Sequence, residues 1–138
     1  METIPPPISS ATPPPAAAGE DKTIAIVSYL TLIGFIVAII LHSKNRTKLG
    51  AYHLRQTLGF LLTVIVVSFS IGIMIFIIAL IPFVHLVLIV LVPLLWIGFT
   101  VSGLVLWLMG LLAAINGEQK PMPVVGELYQ NWFGTAFE

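Results

Sequence analysis

The chain has 138 residues, of which 58% are hydrophobic and only 9% are charged, whereas about a quarter of the residues in a soluble domain are charged. This composition excludes an ordinary soluble fold. The formal net charge is zero, so no overall positive field attracts nucleic acid, and the lack of cysteine excludes disulfides, thiolate catalysis and sulfur-ligated metals.

The chain begins with a proline- and alanine-rich tail, residues 1–22, which we expect to be extended and disordered. Residues 23–138 form the predicted membrane domain. Its first apolar stretch, residues 24–41, has 18 residues and no charge, close to the ~20 residues that a spanning helix needs. We interpret it as the first span. The small residues Gly34 and Ala38, four apart, favour close helix packing there.

A basic segment follows the first span. Residues 42–59 hold four of the six Lys and Arg side chains, and such an excess near a span stays in the cytoplasm. The basic loop is therefore predicted to be cytoplasmic, with the N-terminus outside. Anionic lipid is the expected partner of its first three cations, Lys44, Arg46 and Lys48. The fourth, Arg55, lies at the mouth of the next helix, where lipid phosphate, Glu118 and above all Glu127 are candidate partners.

The long apolar tract from residue 58 to residue 115 contains no Lys, Arg, Asp or Glu. We predict a helix that begins at the interface at Leu49 and spans the membrane over about residues 57–80, and a last span over about residues 94–115. A turn at Pro82–His85 separates them, and residues 86–92 form an overlong start to the last helix, kinked at Pro93. Each has a pair of small residues four apart, Ser68 with Gly72 and Gly98 with Ser102. An alternative divides residues 57–92 into two short spans. The predicted fold class is an all-α integral membrane protein with three transmembrane helices, or four in the alternative.

The C-terminal segment begins where the last helix ends, at Asn116-Gly117, a pair suited to the left-handed conformation that terminates helices. A polar segment with Pro121 and Pro123 follows. Residues 124–137 are then amphipathic enough to lie at the membrane interface.

Three stretches carry a resemblance to a known family: Tyr29-Leu-Thr-Leu-Ile-Gly34, Tyr52-His-Leu-Arg-Gln-Thr-Leu-Gly59, and Leu111-Leu-Ala-Ala-Ile-Asn-Gly117 followed by Lys120-Pro-Met-Pro-Val-Val-Gly-Glu127. Over about residues 22–133 the chain resembles small bacterial membrane proteins grouped with the chloroplast inner-envelope protein-import component. The resemblance implies a multi-pass protein of the bacterial inner membrane and, by analogy alone, a part in protein translocation. The interaction residues that we assign to these motifs are His53, Arg55, Gln56, Asn116, Gly117, Glu118, Pro121, Pro123, Gly126 and Glu127.

The residue content disfavours ion-coupled transport, catalysis and metal binding. No carboxylate lies between Lys22 and Glu118, which disfavours an ion-coupled transporter. The candidate nucleophile–base pair inside the apolar tract is Ser102 with His85, which a packing serine and an interfacial histidine explain better. The three histidines lack metal-ligand spacing. We therefore predict no enzyme, no cofactor and no metal. The favoured function is a scaffold or assembly subunit that binds itself or other membrane proteins, and the alternative is a subunit of a translocation or transport pore.

Overall fold

The computed structural model describes residues 21–138, so the predicted disordered tail lies outside the described residues except for its last two. The described chain consists of five helices and contains no strand, which confirms the all-α prediction. They are α1 (Asp21–Leu30), α2 (Leu32–Lys44), α3 (Lys48–Ala79), α4 (His85–Asn116) and α5 (Gly126–Trp132).

The two longest helices, α3 and α4, form an antiparallel hairpin. Each has 32 residues, which gives a length of about 48 Å at 1.5 Å per residue. Both are long and apolar enough to cross a membrane, and the most apolar window of each has 0% of its residues buried. Their apolar side chains therefore face outwards, unlike those of a core helix in a soluble protein.

The ends of these helices follow the sequence. The turn between them occupies residues 80–84, near Pro82 as predicted. Because α3 runs unbroken through Gly72, the turn that the four-span alternative requires there does not exist. At the other end, α4 stops at Asn116, and Gly117 caps it in the left-handed conformation at φ 74°, as predicted from the Asn-Gly pair.

The predicted first span is wrong as a single helix, because the chain breaks at Thr31. The backbone of Thr31 is extended, with φ −159° and ψ 171°, and its hydroxyl accepts a hydrogen bond from the Gly34 amide at 2.9 Å, so that Thr31 caps α2. The break leaves carbonyl groups at the end of α1 without a helical partner. Trp107 of α4 satisfies one of them, since its Nε1 donates to the Tyr29 carbonyl oxygen at 2.8 Å.

After the break, α2 folds back along α1. A Cβ atom at Gly34 would lie 2.5 Å from the carbonyl oxygen of Val27, so the close approach of the two helices needs a glycine. The two outer ends of the pair meet at the start of α3. A Cβ at Gly50 would lie 3.1 Å from Ile24 and 3.0 Å from His42. Helices α1 and α2 therefore form a helical hairpin with both ends on one side.

The buried core lies at this same end of the molecule. One cluster joins α1, α3, α4 and the segment after α4, and a second joins α1, α2 and α3. Their buried members are Ala25, Tyr29, Leu49, Ala114 and Met122 in the first and Ile24, Phe35, Ala38 and Leu54 in the second. We call this part of the molecule the base: helices α1 and α2, the start of α3, the end of α4, and residues 118–138.

Candidate functional site

Buried polar side chains are the first candidates for a functional site in a chain this apolar. Five of them lie together in the base, and we call them the polar cluster: Ser28, Tyr29, His53, Gln56 and Thr57. The first two belong to α1. The other three belong to α3, where Gln56 and Thr57 follow His53 by three and four residues and so lie next to it on the helix surface.

Tyr29 and His53 form the centre of the polar cluster. The Tyr29 hydroxyl lies 3.2 Å from His53 Nδ1, and His53 Nε2 lies 3.0 Å from the carbonyl oxygen of Glu118. Because a carbonyl only accepts, Nε2 must carry the proton. In a neutral ring Nδ1 then accepts from the Tyr29 hydroxyl, so this pair of bonds fixes the tautomer. A second link between α1 and α3 joins the hydroxyls of Ser28 and Thr57 at 3.1 Å.

The segment after α4 is held by the same face of α3. His53 binds the Glu118 carbonyl, and Gln56 Nε2 donates to the Lys120 carbonyl oxygen at 3.1 Å. Two of the recognisable sequence motifs thus meet through His53, Gln56 and main-chain oxygens. The side chain of Glu118, which the sequence suggested as a partner, is exposed and takes no part in these two bonds.

The proline motif forms a tight turn that buries Met122. Met122 is 2% exposed and contacts Gly110 of α4, where an added Cβ would lie 2.5 Å from the Met122 methyl group. Gly126 closes the turn, because a Cβ there would lie 2.8 Å from Pro121. The close contact with Pro121 explains why the motif has a glycine at position 126. Its other predicted residues, Asn116, Pro123 and Glu127, are exposed.

Tyr129 of helix α5 packs against α3. Tyr129 is 2% exposed, its ring covers Gly59, and its hydroxyl donates to the Thr63 hydroxyl at 2.7 Å. The predicted amphipathic tail therefore packs on the protein along this edge. Trp132 of the same helix is 68% exposed.

Arg55 does meet the C-terminal segment, but its predicted partner Glu127 is wrong. Arg55 Nε donates to the Ala136 carbonyl oxygen at 2.8 Å, and its terminal nitrogen pairs with the Glu138 carboxylate at 3.0 Å. The reason is the path of the tail. Because Tyr129 is anchored at Gly59, one turn beyond Arg55 on α3, the chain reaches Arg55 only after it turns back.

Two further bonds fasten the end of the tail. His42 Nε2 lies 2.6 Å from the Phe137 carbonyl oxygen, and Arg46 donates to the Glu138 main-chain oxygen at 2.6 Å. Two of the basic side chains assigned to lipid or interaction, Arg46 and Arg55, are thus partly engaged by the protein itself. Lys44 and Lys48 are exposed.

The predicted packing residues fall into two groups. Gly34 and Ala38 lie inside the base, where Ala38 is 0% exposed. Gly72 and Gly98 are different, since no atom of the described chain lies within 4 Å of a Cβ added at either. Ser102 is exposed and returns its hydroxyl to the Gly98 carbonyl oxygen at 2.8 Å, and Ser68 is half-buried.

Several residues of the site were missed from the sequence. The predicted site residues did not include Ser28, Tyr29, Thr57, Trp107, Met122 or Tyr129. One signal was available, an apolar Met122 enclosed by two prolines in an otherwise polar segment. The Tyr29 contacts had no such signal, because they depend on the break at Thr31.

The arrangement joins chain segments and gives little scope for chemistry. The polar cluster contains no carboxylate, and its members bond to one another or to main-chain carbonyls. Over residues 21–138 no group of three His, Asp or Glu side chains is placed to hold a metal ion. In the same range the His42 Nδ1 atom is the one buried side-chain nitrogen or oxygen without a hydrogen-bond partner.

Comparison with known proteins supports a membrane protein of a small bacterial family. Residues 20–129 match the family described as the magnetosome magnetite crystal formation protein family, and this range contains the polar cluster, both long apolar helices and the Met122 turn. No curated protein and no solved structure matches the chain. Since the match covers well over half of the 138 residues, the chain belongs to the magnetosome magnetite crystal formation protein family.

Proposed function

We propose that the chain is a non-catalytic accessory protein of a bacterial membrane, a scaffold that holds copies of itself or other membrane proteins in place. One observation carries this proposal: the buried polar groups are used to fasten α1, α3 and the tail to each other, while the outer part of the α3–α4 hairpin has its apolar surface open. Such a molecule has a rigid base and a surface for lipid or partner helices.

The proposed topology has two crossing helices. Helices α3 and α4 cross, and the shorter hairpin of α1 and α2 enters the membrane from the side of the basic loop and returns to it. The contacts of Ile24 and His42 at Gly50 support this arrangement. Under the positive-inside rule the basic loop is cytoplasmic, so the start of α1 and the C-terminal segment are on the cytoplasmic side as well. This replaces the three-span proposal with its N-terminus outside.

From the family description we propose that the scaffold serves the formation of magnetite crystals within magnetosome membranes. The test is complementation of a magnetosome-forming bacterium that lacks its own family member. The chain should be recovered in the membrane fraction and restore crystal dimensions measured by electron microscopy. Recovery in membranes without any change in the crystals would contradict the mineral role.

A second arm tests the absence of catalysis. Substitutions in the polar cluster, such as Gln56→Leu, should lower function only as far as they lower the amount of folded protein, because the cluster joins segments. A variant that abolishes function with unchanged thermal stability would favour chemistry at the cluster. His85→Ala, on an exposed side chain remote from the base, is the matched control.

The grouping with the chloroplast import component, and the translocation pore that it implies, stay predictions. Co-purification after gentle detergent extraction separates them from the scaffold. A scaffold should bring down copies of itself or membrane proteins of its own compartment, whereas a pore subunit should bring down translocation components.

A further inference from the structure

We propose that the base binds the headgroup of an anionic phospholipid in a basic pocket beside the start of α3. The pocket has a volume of 430 Å³ and is lined by side chains that include Arg46, Lys48, Tyr52, Arg55, Gln119 and Glu138. Ligand sites typically occupy about 300–1,000 Å³. The inference rests on the membrane placement proposed above.

The charge of the pocket favours an anion. Three cationic side chains line it against one carboxylate, that of Glu138. Arg46 and Arg55 donate only some of their N–H groups to the tail. Since a guanidinium has five such donors, others are available to a ligand. Lys48 makes no ion pair with any residue of the described range, in which Arg55 with Glu138 is the one salt bridge. A phosphate group would compensate the remaining positive charge.

The surroundings of the pocket favour a lipid over free phosphate. A groove of 380 Å³, lined by apolar side chains such as Leu62, Val66 and Trp132, lies further along α3. The positions Arg55, Gly59, Leu62 and Val66 are spaced by three and four residues, which places the basic pocket and the groove on one face of the helix. The polar groups of the groove, Tyr129 and Thr63, already bond to each other, so the groove suits an acyl chain.

The experiment measures lipid retention by the full chain, purified in mild detergent, with native mass spectrometry. The probes are phosphatidylglycerol and phosphatidylcholine with identical acyl chains, and inorganic phosphate as a competitor. We expect preferential retention of phosphatidylglycerol. Lys48→Gln should reduce it about fivefold, as expected for one basic residue beside an anionic headgroup, since Lys48 has no ion pair in the described chain to lose. Lys120→Gln removes the same charge from an exposed side chain outside the pocket and should leave retention unchanged.

Three results would overturn the inference. Equal retention of the two lipids would show that the pocket does not distinguish the headgroup charge, and an equal loss in Lys120→Gln would show that the pocket is not the site. Displacement of lipid by inorganic phosphate would identify the ligand as a free anion. Membrane placement is checked independently by resistance of the chain to carbonate extraction, so a protein that resists extraction but retains no phosphatidylglycerol contradicts this inference alone.

Discussion

His53 joins three segments of the base. Its ring is 0% exposed, one nitrogen bonds to Tyr29 of α1, and the other bonds to the segment after α4. Removal of the ring would take one hydrogen bond from the buried Tyr29 hydroxyl, which keeps Gln56 Oε1 at 3.4 Å, and one from the part-buried Glu118 carbonyl. A hydrogen bond of this kind contributes about 0.5–1.5 kcal/mol.

His53→Ala should therefore lower the free energy of unfolding by about 1–3 kcal/mol for the two lost hydrogen bonds, with a further loss from the cavity. The measurement is the thermal unfolding midpoint in detergent. His85→Ala removes the same ring from an exposed position at the far end of the hairpin and should leave the midpoint unchanged. Equal midpoints for both variants would mean that the His53 bonds contribute nothing to the stability of the base.

Gly59 matters for its lack of a side chain. Because the Tyr129 ring covers it, Gly59→Ala should push the ring off α3 and destabilise the docked tail by about 1–3 kcal/mol, the usual cost of overpacking. Limited proteolysis should then cut the C-terminal segment faster than in the wild type.

Gly72→Ala is the control for Gly59→Ala, since it adds the same methyl group to the same helix where no atom of the described chain lies within 4 Å. Its cleavage rate should match that of the wild type. If both variants are cleaved like the wild type, Tyr129 is not what holds the tail.

At the scale of elements, the sequence predicted the long helices well and the short ones poorly. The apolar tract, Pro82 and the Asn116-Gly117 pair act locally, and the turn and the C-terminal end of the α3–α4 hairpin follow from them. The division of residues 24–41 is different. It depends on Trp107, which reaches the Tyr29 carbonyl from 78 residues away, and a run with uniform apolar character gives no sign of such a contact.

The partner of Arg55 was missed for a related reason. Charge and distance along the chain made Glu127 a sensible choice, since extended residues reach about 3.1 Å each. That prediction did not include the packing of Tyr129 on Gly59. This contact turns the chain back and brings Glu138 to Arg55. The pair is also modest in energy, because Glu138 is 64% exposed and exposed ion pairs contribute about 0–1 kcal/mol.

The α1–α2 hairpin makes a topological prediction that single cysteines can test, because the chain has none of its own. Cysteines at Thr23 and Ser43 lie at the two exposed outer ends of the hairpin. Both should react with a membrane-impermeant maleimide from the cytoplasmic side. A cysteine at His85 should react from the opposite side. Labelling of Thr23 together with His85 would restore three spans and contradict the hairpin.

At the scale of the whole molecule, the contacts that stabilise the fold and the surface available for association lie in different parts of the protein. The buried contacts lie in the base, and the outer parts of α3 and α4 touch each other along one stripe and leave the rest open. Within the described chain the glycines differ accordingly: Gly110 is enclosed by Tyr29 and Met122, whereas Gly98 has open space around it. A substitution at each therefore separates folding from association.

Gly98→Leu should weaken self-association or partner binding while leaving the fold intact, because small residues let helices approach closely in lipid and a Cβ added at Gly98 would meet no atom beyond the backbone of its own helix. We expect cross-linking in membranes to fall about tenfold, equivalent to ~1.4 kcal/mol, with an unchanged thermal midpoint. Gly110→Leu should do the reverse and unfold the base, since a Cβ there would lie 2.8 Å from the Tyr29 ring. If Gly98→Leu cross-links like the wild type, that face of α4 contacts only lipid.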